Sequence, residues 1–300
     1  MRSQSGDSES KSIRKPRSAT GRTTGTFEAR IRTFTPARRV LVSARVRARA
    51  RGAGSAGSEG RGRRGAIGSG EAELKGRLAR AGYILAMEGQ GDAAWGHATV
   101  RLPGSETLWM KPAGMGLEEV KAEEMLLIDL DGRVVRGKGP RHIEVFIHSE
   151  IMRARPDVCA VVHTHAVSPT VFGSLGVPLR PITHEGVVFV PPDIPRFDET
   201  TDLIDTSERG KAVARTLGER NALILLSHGI VTTGASIEEA TINALLLDKA
   251  ASAQLLLPGA IPRHWSSAAD ALVKRKLLLG QGHRELRWNW RLRKLAKWKG

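Results

Sequence analysis

The chain has 300 residues and a formal net charge of +16, from 47 Lys and Arg against 31 Asp and Glu. The excess sits at the ends: residues 1–66 hold 17 basic against 4 acidic side chains, residues 274–300 hold 10 against 1, and the body between them holds 20 against 26. A basic chain invites a nucleic-acid reading, but the body is mildly acidic, so the basicity belongs to the appendages and argues against nucleic acid as a partner, and a single cysteine, Cys159, excludes an internal disulfide.

Residues 1–66, with RARARGAGSAGSEGRGRRG near their end, are too poor in apolar side chains to offset chain entropy and are expected to be a disordered basic extension. An organelle-targeting peptide or a nucleic-acid tail would share that composition. No apolar run approaches the roughly 18 residues of a membrane span. The lone thiol suits a reducing compartment, so a cytoplasmic protein without a membrane partner is the expectation. One catalytic domain is expected over residues 67–260, followed by a basic, Trp-rich segment over 261–300.

From Glu71, Leu74, Leu78, Ala81, Ile84 and Leu85 recur at helical spacing as far as Met87, and Gly89-Gln90-Gly91 closes that helix. Alternation predicts strands at Ala98–Leu102 and Thr107–Lys111. A short helix over Leu117–Glu124 leads to a third strand at Met125–Asp129, with a turn at Asp131-Gly132. Ile143 to Arg155 is the next helix, and its Glu144 and His148, four apart, share a face.

Val158 to Val162 is a buried strand ending in His163-Thr164-His165. Residues two apart on a strand face one way, so the two imidazoles form half of a metal site. A helix is expected near Ser168-Pro169, irregular chain over Pro178–Pro195, a helix over Ser207–Arg220 and a strand over Ala222–Leu226, followed directly by His228-Gly229. Ser236-Ile237-Glu238-Glu239 is a capping box that opens a helix running to Leu257. Three neutral imidazoles from two strand ends, with Glu144 from the preceding helix, would leave a divalent cation open positions for catalysis.

These pieces carry a resemblance. Gly96-His97 with Thr99-Val100-Arg101, Glu144-x-x-x-His148, Arg155-Pro156-Asp157, Val161-Val162-His163-Thr164-His165, His228-Gly229 and Gly234-x-Ser236-x-Glu238-Glu239-Ala240 are together similar to the class II aldolase/adducin family, over about Leu74 to Leu257. The resemblance implies a single-domain α/β fold: a three-layer α/β/α sandwich around a mainly antiparallel sheet. It also implies a homotetramer with active sites between subunits. His163, His165 and His228 would bind one divalent metal ion per subunit (Zn, Mn, Fe or Co), with Glu144 as acid/base or further ligand.

Within that family, three features depart from the sugar-phosphate aldolases. Arg141-His142-Ile143 lacks the hydroxyl residues that precede the family glutamate, His97 replaces an asparagine, and the only tyrosine, Tyr83, is far from the motifs. Nineteen positions after His165, where the family tyrosine is expected, stands His184. The chain looks closer to the branch that decarboxylates hydroxylated aromatic acids. In that reading Glu144 or His184 supplies the proton, His97 contacts substrate, and Arg101 or Arg141 pairs a second carboxylate. The alternatives are an aldolase or epimerase on a sugar or sugar phosphate, and a non-catalytic adducin-like protein.

Overall fold

The computed structural model describes residues 59–299. The disordered extension expected over 1–66 lies outside the described residues up to position 58, and helix α1 (Glu59–Leu85) begins at Glu59. Eight strands follow: β1 (His97–Val100), β2 (Thr107–Met110), β3 (Leu126–Asp129), β4 (Val134–Arg136), β5 (Ala160–Thr164), β6 (Arg196–Phe197), β7 (Ala222–Leu225) and β8 (Gly229–Gly234). They form one sheet in the order β4-β3-β2-β1-β5-β8-β7-β6, in which only the β6/β7 pair is parallel.

Strands in the middle of a sheet are buried on both faces, and each face here carries its own core. On one side Val100, Ala160, Val162 and Ile224 pack against α1, α3 (Val167–Ser174), α4 (Gly186–Phe189) and α6 (Ile237–Leu255). On the other, Met110, Ile128, Val161, Leu223 and Val231 pack against α2 (Val145–Ala154) and α5 (Ser207–Leu217). The expected α/β/α sandwich around a mainly antiparallel sheet is therefore the fold, and it is a single domain.

The helix ends follow local chemistry. Ser236 accepts from the Glu239 N–H at 3.3 Å, while the Glu239 carboxylate accepts from the Ala235 N–H at 3.2 Å, so α6 opens on a side-chain cap as its sequence predicts. Thr206 caps α5 in the same way. The segment expected to be a helix over Leu117–Glu124 has one 3-10 turn, Ala122–Glu124, and α3 starts at Val167, one residue before the serine expected to cap it.

The basic C-terminal stretch forms α7 (Ala268–Leu278) and α8 (Gln281–Lys299). Trp288 and Leu295 of α8, seven residues apart, insert into the core shared by α1 and α6. No helix among the described residues is long and apolar enough to cross a membrane.

Helices α2 and α5 meet where α5 has Gly210. A Cβ there would press on the Phe146 carbonyl oxygen and lie 2.9 Å from the Glu150 Cγ. Gly210→Ala is expected to destabilise the chain by about 1–3 kcal/mol through overpacking, read as a lower urea midpoint at unchanged m-value. An unaltered midpoint would show that α5 slides freely over α2.

Candidate metal and active site

The site starts from strand register. β1 and β5 pair antiparallel with His97 directly opposite His163, and Thr99 opposite Val161. Val161 belongs to the core beneath α2, so His97, Thr99 and His163 also face α2. His165 lies one residue past the end of β5.

His228 sits in the tight turn between β7 and β8, after Ser227 at φ +56°. Its neighbour Gly229 runs against β5 so closely that a Cβ would lie 2.5 Å from the Thr164 carbonyl oxygen and 3.0 Å from the His165 ring. Glycine therefore lets the third histidine approach the first two. Glu144 occupies the position before α2, and its Oε1 accepts from the buried Ile204 N–H at 2.9 Å.

One ligand atom from each of Glu144, His163, His165 and His228 falls within 4.8 Å of all the others. Glu144 Oε2 is 3.7 Å from His163 Nε2, Oε1 is 3.5 Å from His228 Nε2, and the Nε2 atoms of His163 and His165 are 3.2 Å apart.

Hydrogen-bond partners decide which nitrogen faces inward. His163 Nδ1 lies 3.0 Å from the Ile230 carbonyl oxygen and His165 Nδ1 lies 2.8 Å from Asp92 Oδ2; both partners only accept, so both Nδ1 atoms carry the proton. Their Nε2 atoms are bare lone pairs aimed at one another. His228 Nε2 is buried with no hydrogen-bond partner. Imidazole nitrogens beside a carboxylate, with His163 and His165 oriented from behind by a carbonyl and a carboxylate, fit a divalent cation in their chemistry.

Electrostatics agree with that donor set. Burial pushes the His97 and His163 imidazoles well below their ordinary range, and it lowers His142 to about 4 and His148 to about 3. For Glu144, burial opposes ionisation, but His228, His97 and His163 outweigh it and hold the carboxyl well below the usual carboxylate range. At neutral pH Glu144 is therefore a carboxylate and the buried His97 and His163 imidazoles are neutral, the protonation state metal binding requires.

Because His142 and His148 titrate lower folded than unfolded, the unfolded chain gains protons first as pH falls below about 6.5. Stability is thus full above that value and is lost toward the folded values, by about 2 kcal/mol per histidine at pH 5. Urea titrations of the chelator-treated chain at pH 7, 6 and 5 are expected to show midpoints falling with pH. A flat series would contradict the burial of these rings.

The cleft over this cluster has a volume of about 600 Å³. His97, Glu144, His165 and His228 form its floor and Trp95, Ile143 and Leu203 its apolar wall. Arg141 lies at the same cleft, donating to the carbonyls of His142 and Ile143.

Two expected residues are placed elsewhere. Arg101 is 5% exposed, and its guanidinium donates to the carbonyls of Val158, Ser105, Met152 and Arg155 at 2.8–3.2 Å. Four of its five N–H donors are taken by backbone carbonyls, so no bidentate face is left for a substrate carboxylate. His184 is exposed on the loop before α4, beside Glu185, which pairs with Lys249 of α6, and it does not line the cleft of its own subunit.

Sequence reasoning missed Asp92 and Lys111. Asp92 follows a loop anchored by Gln90, whose side chain accepts from Thr164 and donates to the Ala244 carbonyl. Lys111 Nζ lies 2.9 Å from His142 Nε2, behind the cleft wall. Neither had a spacing signal, because each partner comes from a distant strand or loop.

Comparison with known proteins agrees with this geometry. The model of the Class II Aldolase and Adducin N-terminal domain matches residues 76–255. The decarboxylase NovR of Streptomyces niveus is 32% identical over 188 residues, covering 62% of this chain and 68% of that protein. The 3,4-dihydroxyphthalate decarboxylase of Arthrobacter keyseri is 27% identical over 195 residues, covering 61% and 78%. Among solved structures, L-fuculose 1-phosphate aldolase from Glaciozyma antarctica PI12 superposes with a TM-score of 0.69 at 28% identity, over 78% of this chain and 92% of that one. The paired strands, the converging imidazoles and a family match spanning more than half the chain together show that this protein belongs to the class II aldolase and adducin N-terminal domain family.

Proposed function

We propose that the protein is a metal-dependent carbon–carbon lyase that decarboxylates a hydroxylated aromatic carboxylic acid. The observation that carries this reading is the cleft lining. Beside the polar floor stand Trp95, Ile143 and Leu203, and among the described residues no Ser, Thr, Tyr or Asn side chain lines the cleft. A sugar phosphate carries a hydroxyl or phosphate oxygen on nearly every carbon and would lose those partners on entering. A flat aromatic ring gains from the same wall. The two decarboxylase relatives support the choice.

His163, His165 and His228 would hold the cation, which when bound supplies Lewis acidity to adjacent substrate oxygens. Glu144 is the proton-transfer group. Held ionised, and fixed in direction by the Ile204 N–H, it first accepts the proton of the substrate's hydroxyl and then delivers that proton to the ring carbon, which keeps the electron pair of the broken bond as carbon dioxide leaves the phenolate product. Arg141, at the cleft, is the group for a second carboxylate. His184 would act only if a neighbouring subunit of a tetramer brought it to the site.

The test is a substrate panel. The metal-loaded chain is incubated with dihydroxyphthalates and with fuculose and ribulose phosphates. Carbon dioxide release from the first group is expected; aldol cleavage of the second would replace this reading with a sugar-phosphate aldolase.

A further inference from the structure

Behind the cleft floor, a line of buried groups runs inward from His97. His97 Nδ1 is 2.7 Å from His148 Nε2, and His148 Nδ1 is 2.8 Å from the Thr99 hydroxyl oxygen. That hydroxyl lies 3.5 Å from the Val161 carbonyl oxygen, toward which His148 also points. His97 is 1% exposed, and Thr99 and His148 are wholly buried. Thr99 and His148 are shut off from water, so each of their donors must find its acceptor within the line.

The far end sets the direction. A carbonyl only accepts, so the proton beside Val161 comes from the Thr99 hydroxyl, and Thr99 in turn accepts from His148 Nδ1–H. A neutral imidazole with its proton on Nδ1 has a lone pair on Nε2, which takes the proton of His97 Nδ1. The inner nitrogen of His97 is then committed as donor, and its outer Nε2 is bare. The opposite polarity would set the His148 Nδ1 lone pair against the Val161 carbonyl. His97 Nε2 stands 3.9 Å from Glu144 Oε2 at the cleft.

We infer that His148 and Thr99 are positioning residues that lock His97 in the Nδ1–H tautomer, so that its Nε2 reads a hydroxyl proton on the substrate. Two acceptors, His97 Nε2 and Glu144 Oε2, then face each other at the cleft floor, and a ligand that brings a donor between them relieves both. The ligand class is a carboxylic acid with an un-ionised neighbouring hydroxyl. An ether at the same place has the shape without the proton. The choice of an aromatic acid as ligand rests on the decarboxylase reading; the tautomer does not.

Neutron diffraction from deuterium-exchanged crystals of the zinc-loaded full chain tests the tautomer directly. Deuterons are expected on Nδ1 of His97 and of His148, with none on Nε2 of His97. A deuteron on His97 Nε2, alone or on a doubly protonated ring, overturns the inference.

Calorimetry tests the consequence, with 2-hydroxybenzoate and 2-methoxybenzoate as probes on the zinc-loaded chain. Wild type is expected to prefer the hydroxyl compound by about tenfold or more. His148→Gln, whose side-chain oxygen still accepts from His97 Nδ1–H, should keep most of that preference, whereas His148→Leu should lose it. A folded His148→Leu with the wild-type preference overturns the inference, since a merely structural histidine would leave the ratio untouched. Should His148→Leu not fold, Thr99→Val against Thr99→Ser repeats the comparison one link further in. If neither benzoate binds while the deuterons lie as stated, the decarboxylase reading fails and the tautomer lock stands.

Discussion

His163→Ala is expected to lose its divalent metal on dialysis and to retain no more than about 10⁻³ of wild-type turnover. His163 is wholly buried, its Nδ1 is tied to the Ile230 carbonyl, and its Nε2 lies within 3.2 Å of His165 and 3.7 Å of Glu144. The alternation of β5 puts Val162 and Thr164 on the opposite face, so neither strand neighbour can take its place. Removing Lewis-acid stabilisation worth several kcal/mol corresponds to about a thousandfold or more in rate. Elemental analysis after dialysis, with circular dichroism to verify folding, is the measurement. A variant that retains stoichiometric metal would remove the basis for any lyase activity here.

The second large effect is expected from Glu144→Gln. The amide has the same shape and its oxygen can still accept from the Ile204 N–H, so the start of α2 should hold its geometry. What disappears is the charge and the ability to take and return a proton. Turnover should fall by about 10²–10⁴-fold, the usual share of a positioned acid–base group, while the three imidazoles keep the metal. The two variants therefore separate the roles: His163→Ala loses both metal and rate, Glu144→Gln rate alone. Loss of metal from Glu144→Gln would make the carboxylate a ligand instead.

Much of this site could be read from the sequence because its chemistry lies at strand ends. His-x-His after an apolar run and His-Gly after another are local patterns, and β5 and β7 form where those runs predict. Strand β8 has no counterpart among the expected elements: Gly229-Ile230-Val231-Thr232-Thr233-Gly234 lies between β5 and β7 and holds them together. Its four β-branched residues favour a strand, but which neighbours it pairs with is set by ladders to distant segments.

The C-terminal segment escaped for a related reason. Trp288 and Leu295, with Leu292 packed beside them, are the apolar contacts by which α8 reaches the core, and in the sequence they are diluted among arginines and lysines. Arg101 shows the converse. A lone arginine on a strand reads as a surface or substrate-binding charge, but four carbonyls from separate places in the sequence, residues 105, 152, 155 and 158, meet around it only in the folded chain.

The pairing of His97 with His163 joins two unlike halves of the sheet. β1 to β4 form a meander of consecutive neighbours, and β5 to β8 form a second group; the β1/β5 ladder is the only seam between them. Slipping that seam by one residue would turn one of the two histidines to the opposite face and dismantle the cluster. A cation held at the site therefore acts on the assembly of the whole sheet: at a free concentration a thousand times its dissociation constant it would stabilise the native state by about 4 kcal/mol. Metal supply then becomes a control on how much of this protein persists, as well as on how fast it works.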